Sequence, residues 1–79
     1  MRDLSEVIDN MVKLIPAQEE DFLDQLESYK QSYHYSSPEM RPTWWRMVAG
    51  ALYEKFGDEP QEKWQLNVLE VWNPSTLLA

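Results

Sequence analysis

Cysteine is absent from this chain, histidine occurs once and glycine only twice. No disulfide can form, and the Cys/His spacings that hold zinc are missing. No run of about 18 apolar residues occurs, so no membrane-spanning helix is expected. The glycine-rich loops that cradle phosphate and the G-x-S-x-G turn that presents a nucleophilic serine are missing as well. Basic residues are scarce: seven Lys and Arg stand against fourteen Asp and Glu, for a net charge of −7. Nucleic-acid phosphates are gripped by Lys and Arg, so direct nucleic-acid binding is not expected. The N-terminus, Met1-Arg2-Asp3-Leu4-Ser5-Glu6, carries early acids and no continuous apolar stretch, unlike a secretory signal. Together with the missing cysteine, this makes the cytoplasm the expected location.

What the chain does have is aromatic bulk. Four tryptophans, four tyrosines and two phenylalanines occur among 79 residues. Acidic chains that stay unfolded are usually poor in aromatics, because they bury too little surface to offset chain entropy. This one is expected to fold as a single small domain under an acidic coat. A domain this short is marginal in core size. Without disulfides or an evident metal, its stability must come from dense aromatic packing, self-association or a partner.

Five prolines, at 16, 38, 42, 60 and 74, divide the chain into pieces of helical length. In the first piece, Leu4, Val7, Ile8, Met11, Val12 and Ile15 repeat with the spacing of one helix face. Asp3 suits the N-cap, with Glu6 three residues on as in a capping box, and Pro16 stops the helix near Ile15. The predicted helix spans 3–15. Pro16 also suits the first turn of a second helix over 17–35. Phe22, Leu23, Leu26, Tyr29 and Tyr33 form its apolar side, and Glu20, Asp24 and Glu27 the opposite one. Residues 36–43 read as a loop, with a helical turn opening at Pro38. Thr43 is placed to cap a third helix over 43–56, whose core stripe is Trp45, Val48, Ala49, Leu52 and Phe56. Gly57 is its C-terminal stop. Gly50, inside it, costs roughly 1 kcal/mol relative to alanine, which a close helix–helix approach would explain. A fourth helix over 60–72 opens after Asp58 and Pro60 and carries Trp64, Val68, Leu69, Val71 and Trp72. The alternation of Trp64, Leu66 and Val68 leaves a strand as the alternative. Asn73-Pro74-Ser75 ends this element, and 73–79 form a tail. The expected fold is all-α: a small bundle of three to four helices with short proline-marked turns.

Chemistry is thin. His34, between Tyr33 and Tyr35, is placed to cap the end of the second helix rather than to act as a base, which would need a positioned nucleophile and an orienting group. The carboxylates lie on a solvated helix face, with no EF-hand loop and no Glu-x-x-His pair. No catalytic residue, metal or cofactor is therefore expected. Charge is distributed unevenly: −1 over 1–15, −4 over 16–35, +1 over 36–57 and −3 over 58–79. If the second and fourth helices lie side by side, they form one negative wall. Trp44, adjacent to Trp45, diverges from it by about 100° on a helix. It is either an exposed anchor flanked by Arg41 and Arg46, or a satellite of the core with one of those arginines stacked on it. The expected partner-binding residues are Glu20, Asp21, Asp24, Glu27, Arg41, Trp44 and Arg46.

Two functions compete. In the first, a small acidic module occludes or modulates a basic surface of a partner protein, a surface that ordinarily holds nucleic acid. Nuclease inhibitors, phage anti-defence proteins and immunity proteins share this size and charge, by analogy only. In the second, the chain is an assembly subunit that self-associates, as a homodimer or larger oligomer, through its aromatic face.

Overall fold

A computed structural model describes residues 3–57 and 59–72. Asp58 and the tail 73–79, with its Asn73-Pro74-Ser75 stop, lie outside the described residues. Among those described, the fold is all-α: α1 (Leu4–Val12), α2 (Glu20–Tyr35), α3 (Arg41–Phe56) and α4 (Lys63–Val71), with a 3₁₀ turn at Pro38–Met40. The strand alternative for the last element is overturned, and four α-helices are present among the described residues.

α1 follows its pattern closely. The Asp3 carboxylate caps it, accepting from the Ser5 N–H at 3.1 Å. Leu4, Val7, Ile8 and Met11 are all buried. Regular helix stops at Val12, earlier than Ile15. The chain then tightens: the Leu14 N–H donates to the Met11 carbonyl at 2.9 Å and the Ile15 N–H to the Val12 carbonyl at 3.3 Å. Ile15 still reaches the core. Pro16 disfavours helical geometry at the residue before it, and these three-residue bonds are how the end is closed.

α2 starts at Glu20, not at 17. The Pro16 carbonyl accepts from the Glu19 N–H at 3.0 Å, so Pro16–Glu19 is a turn of its own. Glu20 and Asp21 occupy the first turn of α2, against the positive end of the helix dipole. At the other end Ser36 adopts extended backbone, and both its N–H and its hydroxyl donate to the Tyr33 carbonyl, at 3.3 and 3.0 Å. Ser36, rather than His34, closes this helix.

The turn at Pro38–Met40 occurs where expected, but it runs straight into α3. Arg41 and Pro42 are therefore already helical, and Thr43 lies inside the first turn instead of capping it. Pro42 fits there because first-turn N–H groups have no intrahelical partner to lose. Gly57 ends α3 as expected, in the left-handed region at φ 65°, with its N–H on the Tyr53 carbonyl at 2.7 Å. α4 begins at Lys63, because Glu62 caps it reciprocally. The Glu62 carboxylate accepts from the N–H of Gln65, and the Gln65 side chain accepts from the Glu62 N–H at 3.2 Å.

Side-chain pairs establish an up-and-down order. The Phe22 and Phe56 rings meet edge-to-face at 5.8 Å, and Phe56 meets Trp64 the same way at 5.7 Å. The start of α2, the end of α3 and the start of α4 thus share one pole. Toward the other pole Tyr29 faces Trp44 at 6.4 Å, and Trp45 packs on Trp72 at 5.5 Å. Lys30 of α2 bonds Asp9 of α1 at 2.6 Å. Between the poles, Leu4, Val7, Ile8, Met11, Leu26, Val48 and Val68 make the centre of the core. No polar or charged side chain among the described residues is buried. Gly50 departs from expectation: it is exposed, and a Cβ built on it would meet nothing within 4 Å. No close approach among the described residues accounts for it.

Candidate protein-binding surfaces

The seven residues expected to bind a partner do not form one patch. Glu20, Asp24 and Glu27 lie on one ridge of α2. At 100° per residue they sit roughly 100–160° around the helix from the buried Leu26. All three are exposed. Among the described residues, neither Glu20 nor Asp24 has an ion-pair or hydrogen-bond partner. Glu27 acts on Lys30 through space. The Lys30 ammonium is held above its ordinary range, first by its hydrogen bond to Asp9. Asp21 lies on the other flank of α2, in a recess of about 260 Å³ shared with Phe22, Ala51, Glu54 and Lys55. There Lys55 donates to Glu19 at 2.5 Å and lies 5.7 Å from the Phe22 ring centroid.

Trp44 is half-buried at the α2–α3 seam, against Tyr29. It packs on the core as a satellite residue, but without the stacked arginine. Arg41 instead lies 5.9 Å from the Tyr33 ring centroid. Arg46 is two residues from Trp44, which turns it roughly 160° away on the helix. One oddity marks Trp44: its indole Nε1 is buried and has no hydrogen-bond partner among the described residues. Such a donor usually finds one, since leaving it unpaired costs about 1–3 kcal/mol.

The single negative wall does not form. α2 packs mainly on α1 and α3, while α4 packs on α1. The Phe22–Phe56–Trp64 contacts instead bring the starts of α2 and α4 to one pole. Glu19, Glu20 and Asp21 open α2, and Glu59 and Glu62 precede α4. Part of this charge is spent locally: Glu19 holds Lys55, and Glu62 accepts from the Trp64 indole N–H. On the α2 ridge Glu20 and Asp24 have no such partner among the described residues, and Glu27 acts only through space, on Lys30.

Two features escape the expected set. Met47 (40% exposed) and Tyr53 (62%) stand out from α3, and Leu66 (51%) from α4. Between α3 and α4 runs an open groove of about 400 Å³ lined by Leu52, Tyr53, Phe56, Leu69 and Trp72. The composition held a signal for this: α3 has more apolar residues than one helix face can bury. A second recess of about 400 Å³ holds Ser5, Lys30, Gln31, His34 and Tyr35. His34 is exposed there and stacks edge-on against Tyr35 at 5.1 Å. No group of three or more His, Asp or Glu among the described residues is gathered closely enough to hold a metal ion. No described helix is long and apolar enough to cross a membrane. No protein-family model matches this chain, and no curated protein or solved structure matches it either.

Proposed function

We propose that this chain is a small acidic binding module that covers a basic surface on a partner protein. The observation that carries the reading is the α2 ridge. Its carboxylates Glu20, Asp24 and Glu27 are exposed, and among the described residues none of the three has an ion-pair partner. A ridge of carboxylates on a rigid helix presents negative charge at intervals, as a phosphate backbone does. A partner surface built for nucleic acid would meet it with Lys and Arg. Association would be fast and would weaken as salt screens the charges. Trp44 is not part of this surface, because its ring is spent on Tyr29 and the core.

The test is affinity capture from lysate of the source cells, at low and high salt. The bait is either the intact chain or the triple variant Glu20→Gln, Asp24→Asn, Glu27→Gln. All three positions are exposed, so the variant should fold as the parent does. A basic protein held by the parent at low salt, and released both by salt and by the triple change, is the expected result. Equal capture by parent and variant would rule out the ridge.

A further inference from the structure

We infer that the outer face of α3 is a two-fold self-association surface, on which a second copy docks antiparallel about Gly50. Thr43, Arg46, Met47, Gly50, Tyr53, Glu54 and Gly57 are all exposed. At 100° per residue all seven lie within about 60° of Gly50, in one continuous stripe along the helix. The order of residues in that stripe is self-complementary. Arg46 lies four residues before Gly50 and Glu54 four after it. Met47 lies three before and Tyr53 three after.

When α3 pairs antiparallel with its copy and the two-fold axis passes at Gly50, each residue meets the one equally far on the other side. Arg46 then faces the copy's Glu54, and Met47 faces the copy's Tyr53, each twice, because such an interface uses the same patch on both copies. Opposite charges meet, and a thioether meets an aromatic ring, a favourable contact. Gly50 meets Gly50. With no side chain at the axis the two backbones can approach closely, as small residues allow elsewhere at helix crossings. This also gives a reason for a helix-interior glycine whose added Cβ would meet nothing within 4 Å among the described residues.

Charge favours this face over the others. A chain of net charge −7 repels its own copies. The α3 stripe carries one Arg and one Glu, so it is neutral, and among the described residues neither is tied to an intrachain partner. One helix face is smaller than a standard interface of about 800 Å² per partner, so the dimer is a weak, concentration-dependent one. The inference is independent of the acidic ridge and uses no residue of α2.

Sedimentation equilibrium of the full chain, alone in buffer, tests it. The average mass should rise above the 9.4 kDa of one chain as concentration climbs from micromolar to millimolar. Arg46→Glu sets two like-charged pairs against each other and should weaken the dimer by about tenfold or more. Arg46→Glu combined with Glu54→Arg swaps the charges and should restore it. The chain has no cysteine, so Gly50→Cys gives a second readout: mild oxidation should link two copies, while Gln31→Cys on α2 should not. A chain that stays monomeric throughout would overturn the inference. So would a dimer indifferent to Arg46→Glu, or a charge swap that fails to restore association.

Discussion

α1 and α3 are both built around apolar stripes, yet they spend them differently. In α1, Leu4, Val7, Ile8 and Met11 go entirely into the core, Val12 packs partly against it, and the remaining positions are polar. In α3, Trp45, Val48, Ala51, Leu52 and Phe56 fill the inner side, and Met47 and Tyr53 are left outside. A nine-residue helix wedged between α2 and α4 has one task. A sixteen-residue helix at the edge of the bundle has apolar surface to spare. Apolar side chains beyond what the core accepts mark where a small protein meets something else.

The sharpest way to break this contrast is to truncate one residue of each helix. Ile8→Ala should cost about 2–5 kcal/mol, because it opens a cavity at the centre of the core. Tyr53→Ala, measured by urea unfolding at low protein concentration, should stay within about 0.5 kcal/mol of the parent. Comparable losses would mean that α3's outer side chains support the fold after all. The two glycines of α3 make a finer test, with opposite signs. Gly57→Ala places a Cβ at φ 65° and should destabilise by about 1–2 kcal/mol. Gly50→Ala adds a better helix former in open space and should stabilise the monomer by up to about 1 kcal/mol. Loss of stability at Gly50 would reveal a backbone constraint there. At Trp44→Phe two effects oppose each other. The change discards an indole N–H without a partner among the described residues, along with part of the packing, so thermal unfolding should show a net change within about 1 kcal/mol. Trp45→Phe gives up packing against Trp72 without that offset and should cost more.

How legible these features were in the sequence depends on how local their causes are. α1's stripe, the Asp3 cap and the Gly57 stop rest on neighbours within a turn or two, and each was readable. Pro16 was ambiguous, because the same ring can open a helix or close a turn. The bond from the Glu19 N–H to the Pro16 carbonyl decides for the turn. Thr43 looked like a cap only because the 3₁₀ turn before it was not expected to merge with α3. The Glu20, Asp24 and Glu27 ridge was readable from helix period alone. The negative wall was not, because it depended on which helices become neighbours, and residues far apart in sequence determine that. Gly50's open surroundings and Trp44's place against Tyr29 were hidden for the same reason.

The Trp45–Trp72 pair has one further consequence. Two indoles 5.5 Å apart and tilted by 43° couple their electronic transitions, which gives a split signal in the far-ultraviolet circular dichroism. One ring belongs to α3 and the other closes α4, so that signal reports whether α4 is docked, separately from how much helix is present. Within α4 itself only Val68 is fully buried, fewer than in any other α-helix described. On gentle heating the split signal should fade before the helical signal does. The molecule thus contains its own optical gauge for the first step of its unfolding, with no label added.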